Sequence, residues 1–203
     1  MCVILHRKSG NIVSENDLME AYDYNPHGCG LMYRVNGKVV AHKGLWDFDL
    51  LMDKLYSLGD IEYLLHLRIM TVGDINVKNC HPFRIKKNTW MMHNGTFKIT
   101  QVDKTMSDTW HVSKMLKDCK LTNDFLNKFG SNIGTNRVAF MNGKGIKKLG
   151  KWENVDGNYW SNLNWVGGSY LIDKNYDKYD SYDDYYVKYW DYKDAFEEYS
   201  GGY

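Results

Sequence analysis

A mixed α+β fold is predicted, on three observations. Apolar runs short enough for strands stand at both ends of the chain, and segments with helical spacing lie between them. Asn-Gly dipeptides separate some of those runs, as hairpin turns do. The opening "CVILHR" reads as a strand closed by the turn residues "SGN". "SENDLMEAYDY" comes next as a short helix, with Ser14 three residues before Asp17 in a capping-box-like start, and "NPHGCG" stops it. "GLMYRV" and "KVVAHKG" flank Asn36-Gly37, a strong hairpin signal. In "WDFDLLMDKLYSL", Phe48, Leu51, Met52 and Leu55 recur at helical spacing. "IEYLLHLRIMTVG" reads as one nearly continuous apolar strand with His66 and Arg68 on the same face. "NTWMMHNGTF" is a strand broken at Asn94-Gly95. "MSDTWHVSKMLKDCK" reads as a helix with Val112, Met115, Leu116 and Cys119 on one side, and "TNDFLNKFGSNIG" as a second helix. "NRVAFMNGKGIKKLG" is a hairpin around another Asn-Gly, and "NYWSNLNWVGG" a further strand.

A chain of 203 residues is long enough for one sizeable core with an appendage, and it shows no internal repeat. Residues 1–170 are expected to form one domain. Residues 171–203 change character, with nine tyrosines and nine acidic residues against four lysines. Tyr185, Tyr189, Tyr192, Phe196 and Tyr199 recur at steps of four and three, and Ser181 with Asp184 would cap such a helix. Three readings stand for this segment: an aromatic stripe packed on the body, a docking surface for a partner, or a chain too polar to fold.

A formal net charge of +1 gives no electrostatic reason to expect nucleic acid or an anionic membrane as the main partner. No apolar run approaches the roughly 18–20 residues of a membrane span, and "CVIL" is too short for a signal-peptide core. Cys2, Cys29, Cys80 and Cys119 are widely spaced without a CxxC pair, which argues against a zinc site or disulfide framework and fits a reducing cytoplasm. His66, His81 and His93 show no metal-ligand spacing and are expected to be buried hydrogen-bonding residues. No metal or cofactor is expected.

Cys2 poses the functional question. Removal of Met1 would leave a thiol and a free α-amine on one residue, a nucleophile with its own base. An α-amine titrates at about 7.7–8.0 and a thiol at about 8.5, so the amine can take the thiol proton near neutral pH. The competing reading is an inert buried cysteine in the first strand.

Several stretches occur together in a telling order: "MC" at the start, "NPHGCGLMY", "HLRIMTVG" at 66–73, "NCHPF", "HNG" at 93–95, "SDT" at 107–109 and "NYWSN". In that order, over about residues 2–165, they resemble the class II glutamine amidotransferase domains of the N-terminal-nucleophile hydrolase superfamily. The resemblance implies a four-layer αββα sandwich, with two antiparallel sheets between helix layers. It implies hydrolysis of L-glutamine to glutamate and ammonia through a γ-glutamyl thioester on Cys2, with ammonia passed to a separate synthase partner.

The resemblance also places residues in roles. Asn94 and Gly95 would form the oxyanion hole, a side-chain amide plus a main-chain N–H that glycine lets approach closely; a simple Asn-Gly hairpin turn is the competing reading. Arg68 would grip the substrate α-carboxylate with its planar fork, against the alternative of a structural salt bridge. Asp108 would take the α-ammonium, against ordinary N-capping. Thr71 and Gly73 would complete the substrate contacts. The chain departs from the pattern at Val3, His27, Ile69, Met70 and Val72. Two further functions therefore stay open: an amidase of the same superfamily acting on another γ-glutamyl amide, and a non-catalytic interaction module.

Overall fold

The structure, a computed structural model, describes residues 2–166. Among these are ten strands in two antiparallel sheets and four α-helices. In chain order they are β1 (Val3–Arg7), α1 (Glu15–Asp23), β2 (Cys29–Val35), β3 (Lys38–Leu45), α2 (Phe48–Leu58) and β4 (Tyr63–Leu67). After these come β5 (Phe83–Lys86), β6 (Thr89–Asn94), α3 (Asp108–Met115), α4 (Asn123–Asn132), β7 (Arg137–Asn142), β8 (Gly145–Leu149), β9 (Glu153–Val155) and β10 (Asn158–Trp160). One sheet runs β3-β2-β4-β1-β10-β9 and the other β5-β6-β7-β8. The expected 171–203 segment lies outside the described residues.

Alternation along the strands sends neighbouring side chains to opposite sides. From β1, Val3 and Leu5 join Leu18 and Ala21 of α1 and Leu51 and Leu55 of α2 in one core cluster. Ile4 joins Met92, Ala139 and Met141 of the second sheet in another. Met91, Val138 and Phe140 of that sheet join Val112 of α3 and Leu126 of α4 in a third. With both faces covered, β1 and β4 are apolar on both sides apart from His6, Arg7 and His66, and each fully buried leucine or isoleucine contributes roughly 1.5–3 kcal/mol.

Local signals place the elements. Asn36 and Gly37 both take positive φ, 50° and 72°, as the primed two-residue turn requires. Each α-helix begins at a side-chain cap: Ser14, Asp47, Ser107 and Thr122.

Some expectations need correction. The strand expected over 61–73 ends at Leu67, because the chain turns away at Arg68 into a loop held by tertiary bonds. The helix expected through Cys119 is α-helical only to Met115, then tightens to a 3₁₀ turn over Leu116–Asp118. The tighter winding keeps Leu116 inside and leaves Met115 64% exposed. β5 and β9 were not expected. β9 pairs with β10 across Asp156-Gly157, both at positive φ. No helix of the described residues is long and apolar enough to cross a membrane.

Candidate active site

Strand register brings the first pair of residues together. Val3 pairs with Leu67 in the antiparallel β1–β4 ladder, so Cys2, one step before, faces Arg68, one step beyond. The half-buried Cys2 thiol donates to the Ile69 carbonyl at 3.3 Å, and the Cys2 carbonyl accepts from Asn162 Nδ2 at 2.9 Å. Burial pushes the thiol pKa up; the Ile69 main chain and the Arg68 charge pull it back down.

Arg68 is 3% exposed. Its guanidinium donates to the Asp74 carbonyl at 3.0 Å and the Val72 carbonyl at 3.2 Å, which curls the loop around it. No ion pair among the described residues includes it, so the structural salt bridge considered from sequence has no partner here. Five guanidinium N–H groups less these two bonds leave donors for a ligand.

The second sheet supplies the opposite wall. β6 ends at Asn94, and the chain leaves it at Gly95 with φ 131° instead of turning into a hairpin. A Cβ at Gly95 would stand 1.9 Å from Asn136 Oδ1, so the position takes only glycine. Beyond the loop, Ser107 caps α3 by accepting from Trp110 N–H at 3.1 Å. Capping is thus the work of Ser107, and Asp108 is the first helical residue. The Asp108 carboxylate accepts from Phe97 N–H at 2.5 Å on one oxygen and from Thr109 N–H at 2.7 Å on the other.

These segments enclose a small cleft of ≈ 270 Å³, counted with its open mouth. Cys2, Arg68, Thr71, Gly95 and Asp108 line it, together with Ile69, Val72, His81, His93, Ser107 and Thr109. Asn94 and Gly73 do not. Asn94 is 2% exposed and bonds Ser161. Gly73, at φ 75°, lets the loop pass the α3 N-terminus, where a Cβ would meet Ser107 N at 2.7 Å.

Two of the three histidines support the wall as expected. His66 donates to the His93 carbonyl at 3.2 Å, and burial pulls its pKa down to about 3. His93 bonds Thr109 Oγ1 at 2.8 Å and Asn136 Oδ1 at 3.0 Å. Burial lowers its pKa while the Asp108 charge raises it. His81 differs. Its ring lies tilted against His66 with centroids 3.8 Å apart and is 4% exposed, but neither ring nitrogen has a partner, and burial pulls its pKa well below the usual value.

Sequence reasoning missed the residues that hold the walls. Asn79 bonds the Asp74 and Thr105 carbonyls and accepts from Ser107 N–H, tying the Arg68 loop to α3. His27 accepts from Met70 N–H at 2.8 Å and braces the other end of that loop. Both lie in motif stretches, "NCHPF" and "NPHGCG", but nothing local shows where their side chains reach.

No family model and no curated protein sequence matches the chain. A solved structure does. Glutamine phosphoribosylpyrophosphate (PRPP) amidotransferase from B. subtilis, complexed with ADP and GMP, matches with a TM-score of 0.51 at 11% identity. The two share a fold. The match takes in 79% of this chain and 41% of the other, so the chain spans less than half of that protein.

Proposed function

We propose that the chain is a glutamine-hydrolysing amidotransferase domain with Cys2 as nucleophile. The observation that carries the reading is the meeting of Cys2, Arg68, Gly95 and Asp108, from four separate segments, around one cleft. Nothing in the packing of either sheet calls for a buried guanidinium without an ion partner beside a thiol. The three core clusters, alternately helix with sheet and sheet with sheet, support the helix–sheet–sheet–helix layering of the N-terminal-nucleophile hydrolases. The shared fold with an amidotransferase agrees with it.

In this reading Met1 is removed and the Cys2 amine takes the thiol proton. Sγ attacks the carboxamide carbon of glutamine, and the oxyanion is met by the Gly95 N–H and the Asn94 side-chain amide. Collapse expels ammonia, which carries the proton returned by the amine, and leaves a γ-glutamyl thioester that water hydrolyses. The free N–H groups of Arg68 hold the α-carboxylate, and the remaining lone pairs of Asp108 hold the α-ammonium. Thr71 lines the wall beside them, and Gly73 lets its loop pass close to the start of α3. Ammonia would pass to a separate synthase partner.

Cys2→Ala should abolish glutamine hydrolysis while leaving the circular dichroism and thermal unfolding unchanged. A glutamine-mimicking diazo-ketone should add its mass at residue 2 of a chain lacking Met1. Turnover retained in Cys2→Ala rules the mechanism out.

A further inference from the structure

The two residues directly after β10 reach both halves of the cleft. Ser161 is fully buried and clamps β1 through its main chain and side chain. Its N–H donates to the Ile4 carbonyl at 2.8 Å, and its Oγ accepts from Ile4 N–H at 2.8 Å. The same Oγ lies 2.8 Å from Asn94 Nδ2 on the other sheet. Asn162 donates to the Cys2 carbonyl at 2.9 Å, and its own Oδ1 is held by Asn164 N–H at 3.0 Å. Adjacent side chains thus hold Cys2 and Asn94, although these precede β1 and end β6 respectively.

The protons at Ser161 decide what this clamp does. A hydroxyl has one proton to give and two lone pairs. With Asn94 Nδ2 facing it, the Ser161 oxygen takes N–H protons from both Ile4 and Asn94, and no acceptor is left for its own proton. Asn94 Oδ1 is then buried with no donor. The two ends of a carboxamide are nearly isosteric, so a half-turn leaves every heavy atom in place. After the turn, the Ser161 O–H donates to Asn94 Oδ1 over the same 2.8 Å. Two unmet groups become one, the Asn94 NH₂, which is buried next to Gly95 of the cleft wall.

We propose that Ser161 is a positioning residue. Its hydroxyl, anchored by Ile4, holds Asn94 Oδ1 and leaves the Asn94 nitrogen as the free donor for the oxyanion of an amide under attack. Asn162 ties the Cys2 main chain to the same segment. The effect on turnover rests on the glutamine-hydrolysis reading; the orientation of the amide does not.

The test has a kinetic arm and a spectroscopic arm. Ser161→Ala should lower kcat for glutamine by about 10–100-fold with KM nearly unchanged, since an oxyanion donor acts in the transition state alone. Ser161→Thr, which keeps the hydroxyl, should recover most of it. In an Asn94→Ala background the Ser161 change should add little. An unchanged kcat, a loss confined to KM, or full additivity with Asn94→Ala overturns the proposal. In the wild-type protein labelled with ¹⁵N-asparagine, nuclear Overhauser contacts from the Asn94 NH₂ protons to the Ser161 Hβ protons should be weak or absent. Strong ones overturn the proposal whatever the activity, and they decide it if a variant fails to fold. A wild-type protein that does not hydrolyse glutamine but shows the turned amide refutes the reading of function and leaves the orientation standing.

Discussion

A guanidinium at 3% exposure with carbonyls as its bonding partners is costly to bury. Two of its N–H groups shape the loop, and the side chain lines the same cleft as Cys2 and Asp108. A lysine would keep the charge but lose the planar fork. Arg68→Lys should therefore raise KM for glutamine about ten- to a hundredfold, the worth of one charged hydrogen bond at about 1.5–3 kcal/mol, with a smaller change in kcat. Steady-state assays read this directly. A KM within twofold of wild type would mean that the guanidinium serves the loop alone. Cys2, Arg68, Gly95 and Asp108 could be proposed from the sequence because the motifs that carry the resemblance are short and local, and each proposed role fits the chemistry of its own residue type. Ser161, Asn162, Asn79 and His27 were not, because their role is a bond to a residue far along the chain, such as Cys2 and Asn162 at 160 positions apart.

At the scale of elements, strong local signals carried through. Ser14, the Asn36-Gly37 turn and the amphipathic spacing of α2 each act within a few residues, and all three are realised. β5 and β9 have four and three residues, too few for a period of two to show. The end of β4 was hidden for another reason. Ile69, Met70 and Val72 continue the apolar run, and only the bonds made by Arg68 show that the strand has stopped. The caps allow a comparison between elements. Ser107 at α3 lines the cleft, whereas Thr122 at α4 does not. Either change to alanine should cost about 1 kcal/mol in urea unfolding. Only Ser107→Ala should also raise KM for glutamine, because fraying the first turn of α3 frees Asp108. Equal KM values for the two variants would detach the helix start from substrate binding.

Across the whole molecule, the fold keeps several imidazoles neutral, with His66 and His81 where the first sheet meets β6. Burial pulls His66 to about 3, His27 and His42 to about 4, and His81 well down. In the unfolded chain each returns to about 6.5. Below that value the unfolded state takes up protons that the native state refuses, so stability falls as the pH falls. The loss begins near 6.5, continues to about 3–4 where the native groups charge, and then levels off. Glu62, Asp60 and Asp103 are held below the usual carboxylate range and deepen the acid limb. Asp17 and Asp23, held above it, oppose it. The histidines dominate the upper part of the window, since carboxylates in the unfolded chain remain ionised there. Urea midpoints should therefore drop steadily between about pH 7 and pH 5, and His81→Asn should flatten that slope whatever it does to the midpoint at neutral pH. His81 is the sharpest probe, because neither of its nitrogens has a bond to lose on substitution. A midpoint that holds constant over about pH 7 to 5 would show that these rings take up protons without unfolding the chain.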